Sequence, residues 1–272
     1  DGAKLTSDMV KASDLLVNLP ENRGKAYALR EGLRSLLNQN SINLGFVVQY
    51  DGDGDQSYVD IPTVHNRLIE VSEGNPDIPT LIIGDRYAEG LSIPPNPESV
   101  AYRQSILMFF GAIAKELGFH DVRDWVSGAR GYTKAYVMEF LTRSKSERYG
   151  LESEQLVVAS LSGSRVMTAP LTESRPRDPH TLTSKWLQNF EVYSDHAAAL
   201  RKEGKSHVVD LIQDLVVNLR NRVDKFDLNL KTLGEDTLMH FTRLDDTYTA
   251  EIPAEYRARL FGQDEFPFTI RK

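Results

Sequence analysis

Cysteine is absent from the chain. Disulfides, thiol nucleophiles and thiolate metal sites are therefore excluded. Long apolar runs are missing as well. The longest, Ile106 to Ile113, falls well short of the roughly 18 residues that a membrane-spanning helix requires, and no membrane association is expected. Positive charge is in deficit: 32 Lys and Arg stand against 39 Asp and Glu, a formal net charge of −7. That balance argues against non-specific attraction to nucleic acid or to anionic membrane surfaces. Neither glycine-rich phosphate pattern, G-x-x-x-x-G-K-S/T or G-x-G-x-x-G, is present, so the usual signatures of nucleotide-dependent enzymes are missing. Repeats of fixed period and low-complexity tracts are lacking too. The chain opens at Asp1 without a signal-like apolar region, as either a processed mature chain or a trimmed fragment would. A soluble protein is expected, of unassigned compartment.

The 272 residues, 40% hydrophobic and 26% charged, suffice for one large globular domain or two small ones. Their strongest periodic signal lies between Thr181 and Leu233. Val208, Ile212, Leu215, Leu219, Val223, Phe226 and Leu230 recur at steps of three and four, the spacing that keeps one helical stripe facing a partner. Leu182, Trp186, Phe190, Tyr193, Ala197 and Leu200 form a similar stripe before it, and Gly204 separates the two. Two helices joined by a short break predict an antiparallel helical hairpin.

Upstream, periodicity predicts helices over Met9–Leu19 and Ala26–Leu37. A strand is predicted from Ile42 to Tyr50, where Ile42, Leu44, Phe46, Val48 and Tyr50 alternate. The turn-forming Asp51-Gly52-Asp53-Gly54-Asp55 suggests a hairpin returning through Tyr58 to Ile61. A short helix from Pro62 to Val71 and a buried strand from Pro79 to Gly84 follow. Further helices are predicted from Asn96 to Leu117, where Pro97 follows a capping residue, and from Thr133 to Tyr149. Gln155–Leu161 and Arg165–Leu171 read as a second hairpin around Ser162-Gly163-Ser164. The whole is an α+β chain of mixed helices and β-hairpins with a C-terminal antiparallel helical hairpin. It divides into an α+β region over 1–173 and a helical hairpin with a strand and tail extension over 174–272.

Chemistry-bearing residues are scattered. Asp51, Asp53 and Asp55 alternate with glycines as oxygen ligands of Ca²⁺ or Mg²⁺ do, and Asp85, after an apolar strand, would join them if the fold brought it near. The spacing departs from a calcium loop: Gln56 stands at the turning glycine and Pro62 at the bidentate glutamate. A solvated turn is the preferred reading, and no cofactor is expected. Asp85-Arg86 reads as a turn or a local ion pair. His120 has Asp121 and Asp124 near enough in sequence to orient its ring. Ser162 and Ser164 lack the strand-to-helix setting of a nucleophile elbow. Arg143, Lys145 and Arg148, with Arg165, Arg175 and Arg177, form a modest basic grouping that reads as a solvated face and would bind anions or nucleic acid, through Arg165, Arg175 and Arg177, if gathered together.

Three functions are compatible with this pattern. The favoured one is a non-enzymatic assembly or interaction protein, such as a structural subunit of a virion or secreted bacterial complex. It would contact a protein partner or copies of itself through Val208, Ile212, Leu215, Leu219, Val223 and Phe226. The alternatives are a metal-dependent hydrolase or phosphotransfer enzyme built on Asp51, Asp53, Asp55 and Asp85, and a nucleic-acid-binding protein.

Overall fold

The computed structural model describes residues 23–39, 44–51, 58–86, 113–122, 124–147, 150–172, 191–206 and 208–210, with Val17, Leu19, Glu21 and Asn189. Four strands, β1 (Phe46–Gln49), β2 (Thr80–Asp85), β3 (Arg130–Thr133) and β4 (Arg165–Pro170), form one mixed sheet in the order β1-β3-β2-β4. Both β1 and β2 run antiparallel to β3, and β4 runs parallel to β2. Among the described residues they are accompanied by the helices α1 (Lys25–Leu37), α2 (Ile61–Val71), α3 (Lys134–Arg143), α4 (Leu151–Ser162) and α5 (Ala197–Lys202). The described chain is thus α+β.

The period-2 rule divides the sheet between two apolar cores. Ile82 of β2, with Ala169 and Leu171 at the end of β4, meets Val64 and Leu68 of α2; Phe46, Val48, Tyr50 and Met167 border this smaller core. Leu81, Ile83 and Tyr132 face the other way. There they join Ala26 and Leu33 of α1, Tyr136, Val137 and Phe140 of α3, and Leu156 to Ala159 of α4. Helix α2 lies close against the sheet because β3 offers it Gly131: a Cβ at that position would stand 3.2 Å from Val64 Cγ1. The hydroxyl of Thr133 pins the β3–α3 junction. It accepts from Thr80 N at 2.9 Å and caps α3 through Tyr136 N.

The predicted helix over Pro62–Val71 and strand over Pro79–Gly84 correspond to α2 and β2, and α1 matches the helix expected around Ala26–Leu37. Neither predicted hairpin forms. Tyr58 to Asp60 make a 3₁₀ turn that leads into α2, because Pro62, just inside the helix start, has the φ a helix needs. The partner of β1 is β3, with Phe46 opposite Thr133 and Gln49 opposite Arg130.

Gln155–Leu161, predicted as a strand, is helical. All residues from Leu151 to Ala159 are buried in α4, so the polar face that marks most helices is missing and the β-branched Val157 and Val158 resemble a strand. Glu152 and Glu154 lie in the first turn, where the helix dipole favours negative charge. Gly163, left-handed at φ 65°, ends α4 by donating to Ala159 O, so Ser162-Gly163-Ser164 is a helix-to-strand turn. Helix 134–143 is also shorter than the predicted Thr133–Tyr149, because Thr133 ends β3 as its cap and the backbone becomes extended at Ser144.

The segments predicted as helix over Met9–Leu19 and Asn96–Leu117 lie mostly outside the described residues, as does nearly all of the second helix of the C-terminal hairpin. What is described of that stretch, residues 191–206 and 208–210, packs inward. Val192, Tyr193, Ala197, Leu200, Val208 and Val209 belong to the larger core, and Gly204 takes a positive φ of 76° where the sequence predicts a break.

Two glycines test this packing in opposite directions. A Cβ on Gly84 would lie 2.9 Å from Ala129 Cβ and from Leu171 Cδ1, whereas one on Gly32, within α1, meets nothing within 4 Å. Gly84→Ala is expected to destabilise the fold by about 1–3 kcal/mol through overpacking. Gly32→Ala is expected to stabilise it by up to about 1 kcal/mol through helix propensity. Urea denaturation measures both, and a G84A protein as stable as the parent would contradict the close packing at β2.

Candidate functional site: an ion triad at the carboxyl edge of the sheet

Strands β1, β2 and β4 all run opposite to β3 or parallel to one that does, so their carboxyl ends share one edge of the sheet. That edge is where open α/β sheets place ligand-binding groups. Asp51 follows β1 there, Asp85 and Arg86 end β2, Thr172 follows β4, and Arg130 begins β3.

Lys25, the first residue of α1, reaches this edge and sits between two carboxylates. Its Nζ donates to Asp51 at 3.0 Å and to Glu152 Oε1 at 2.6 Å. Burial works against the charged amine, but the Glu152 and Asp51 carboxylates outweigh it and hold Lys25 well above the ordinary lysine range. Glu152 responds in kind. Burial would raise its pKa, yet Lys25 and Arg130 hold it below the usual carboxylate value. The Asp51 carboxylate lies flat on Gly128, where an added Cβ would fall 2.1 Å from Oδ2. Glycine is required at 128 for this close approach.

Arg130 extends the cluster inward. Fully buried, it donates from Nε to Ser127 O at 2.9 Å, from Nη1 to Gln155 Oε1 at 2.6 Å, and from Nη2 to Trp125 O. Gln155 Nε2 donates onward to the Tyr132 hydroxyl at 2.7 Å, and that hydroxyl donates to Gln49 Oε1. Tyr136, stacked on Tyr132 with ring centroids 5.6 Å apart, donates to Gln155 O at 2.8 Å. Burial raises both phenols far above the ordinary tyrosine value, so they remain neutral donors at physiological pH.

A second pair flanks the triad. Arg86 grips the buried Asp124 with a two-pronged contact, Nε to Oδ2 at 2.6 Å and Nη2 to Oδ1 at 2.7 Å. Asp60, beneath the start of α2, accepts from Thr172 N at 3.0 Å and from its hydroxyl at 2.7 Å, tying the end of β4 to this edge.

Of the residues singled out in the sequence, Asp51 belongs to the triad. Asp85 is buried at the end of β2 opposite Pro170, and Asp53 and Asp55 lie outside the described residues. Among the described residues, no group of three or more His, Asp or Glu side chains is arranged to hold a metal ion. Arg86 pairs with Asp124, 38 positions along the chain, where a turn or a local pair at Asp85-Arg86 is expected from the sequence; that carboxylate is thus engaged by Arg86, and His120 is exposed. Arg165 donates to Val71 O and to Glu73, each at 2.7 Å, at the amino end of β4 and so on the opposite edge. Arg175 and Arg177 lie outside the described residues, as do Ile212, Leu215, Leu219, Val223 and Phe226. Val208 is described, and it is buried. Ser162 Oγ donates to Val158 O at 2.9 Å and contacts Ser164 Oγ at 2.6 Å, local bonds at the end of α4.

No family model, curated protein or solved structure matches this chain. Its chemistry is therefore read from its own residues. Lys25, Gln49, Arg130, Tyr132, Glu152 and Gln155 carry no motif. The nearest signal is a run of four polar residues, Glu152 to Gln155, directly before the apolar Leu156 to Ala159.

Lys25→Met leaves two carboxylates without their shared cation and is expected to cost about 2–4 kcal/mol, slightly below a fully buried pair because the triad is partly open to solvent. Gly128→Ala, which displaces Asp51, is expected to lose a smaller part. The parent's advantage over K25M depends on pH. Glu152 is depressed in the folded state, so its contribution is complete above the unfolded carboxylate pKa and is lost as pH falls through the folded value. Lys25 is raised, so its share is complete below the unfolded lysine pKa and is lost as pH climbs through the folded value. The advantage is therefore full between about pH 5 and pH 10. Urea titrations of parent and K25M from pH 2 to pH 8 check this, and a constant difference across that range would refute the triad.

Proposed function

We propose that the protein is a non-enzymatic assembly or interaction protein, self-associating or binding a protein partner through its C-terminal helical hairpin. The observation that supports this reading is the inward anchoring of residues 208 and 209. Val208 and Val209, where the apolar stripe of the second helix begins, are buried in the larger core at 2% and 0% exposure. Such an anchor is what a self-complementary or partner-directed surface further along the chain would require. The sheet edge is consistent with a supporting role for the rest of the chain. Lys25 is held as an ammonium between two carboxylates, which suits a brace better than an amine nucleophile or base. Exposed apolar side chains at Tyr58, Val59 and Ile61 add a second surface suited to protein contact.

One observation favours a second reading, metal-assisted hydrolysis or phosphotransfer: Asp51 and Glu152 already converge on a single cation, the Lys25 ammonium. A divalent ion there would take oxygen ligands at roughly 2.0–2.6 Å.

Light scattering across protein concentration, with and without Mg²⁺ or Ca²⁺, separates the two. The assembly reading predicts a defined oligomer or mass-action association that is indifferent to metal and is reduced to monomer by Leu215→Asp with Leu219→Asp. A protein that stays monomeric at every concentration would contradict self-association, and a monomer whose melting temperature rises with metal would move the assignment to the carboxylates.

A further inference from the structure

The first turn of α4 serves two neighbours at once. Glu152 and Gln155 point to the sheet edge, where they hold Lys25 and Arg130. Ser153 and Glu154, between them, hold the C-terminal segment. Ser153 Oγ donates to Asn189 Oδ1 at 3.0 Å, and His196 Nε2 meets Glu154 Oε1 at 3.0 Å with both side chains buried. A third tie lies beside these: Lys145 Nζ donates to Asp195 O at 2.5 Å.

Glu154 is the joint of this arrangement. Its carboxylate also accepts from Lys145 N, from Ser146 N at 3.0 Å and from the Ser144 hydroxyl. Arg30 of α1 donates to that same hydroxyl at 3.0 Å. One carboxylate thus joins α1, the α3–α4 connection and the C-terminal segment. Because buried hydrogen-bonded groups leave little room for independent movement, a shift of this helical turn toward either neighbour disturbs the other.

We propose that the first turn of α4 is a conformational coupler: docking of the segment from Asn189 to Asp210 and closure of the Lys25–Asp51–Glu152 triad stabilise one another. The C-terminal segment is then a strap whose attachment sets how tightly Lys25 is held. A load on this segment is thereby sensed at the sheet edge. This coupling is thermodynamic, so it runs in both directions.

Two measurements on the full chain test it. Amide hydrogen exchange over residues 191–206 reports strap docking, and acylation of Lys25 by an N-hydroxysuccinimide ester, relative to the exposed Lys134, reports triad closure. His196→Ala and the milder Lys145→Met, each cutting one tie to the strap, are expected to raise both exchange in 191–206 and labelling of Lys25, the latter about 5-fold or more. Reciprocally, Lys25→Met, which touches nothing in the strap, is expected to raise exchange in 191–206 by a comparable factor. Exchange in β2 shows whether each variant remains folded, and if H196A does not, K145M and K25M decide the matter. A strap loosened while Lys25 labelling stays at the parent rate would overturn the proposal. So would a strap unmoved by K145M or K25M.

Discussion

Taking a carboxylate out of water costs several kcal/mol unless opposite charge or hydrogen-bond donors meet it inside. Helix α4 takes in two within one turn, Glu152 and Glu154, with Ser153 and Gln155 beside them, all buried. That single constraint sets much of the surrounding structure. Lys25 answers Glu152, and the backbone of residues 145 and 146, with His196, answers Glu154. Arg130, enclosed by Ser127, Trp125 and Gln155, completes the charge balance. Such a network stabilises only as a complete set. Removal of one member strands the others, whereas an apolar replacement of the whole would relieve the cost. What such a network contributes in place of raw stability is specificity, since a different packing of α1, β3, α4 and the C-terminal segment would leave a buried partner unsatisfied.

The sheet is shaped to admit this network. Gly128 lets Asp51 lie against the backbone, and Gly131 lets α2 press onto the opposite face of β3. The two glycines therefore work on different sides, one for the polar edge and one for the smaller apolar core. Tyr132 and Tyr136 span the distance from sheet to α4, their rings in the larger core and their hydroxyls joined to Gln49 and Gln155. Aromatic side chains with a polar tip suit this position, apolar over most of their surface and able to end in a hydrogen bond.

Half-exposed elements were legible in the sequence because water writes a pattern on them. In α2, Val64 and Leu68 face inward while Asn66 and Glu70 stay exposed, and the helical period survives. In β2 the apolar run bounded by Pro79 and Asp85 is enough. The pattern fails for α4, which is buried all round its first nine residues and so shows no polar stripe. It fails for the supposed hairpins because turn chemistry at Asp51 to Asp55 does not specify which strand β1 will pair with; β3 supplies the partner from far along the chain. The site was hidden for the same reason. Asp51 stood out through its neighbours, but Lys25 and Glu152 are 127 positions apart, and a run such as Glu152 to Gln155 reads as surface until tertiary structure encloses it.

The first turn of α4 is held by its charged partners and is not merely adjacent to them. A double-mutant cycle between Lys25 and Glu152, with Lys25→Met, Glu152→Gln and the pair compared by urea denaturation near pH 7, tests it most directly. If the two groups are coupled as their 2.6 Å contact implies, the double variant is more stable than the sum of the single losses by about 1–3 kcal/mol. Losses that simply add would show that the contact contributes nothing, and the account of the sheet edge built upon it would fail.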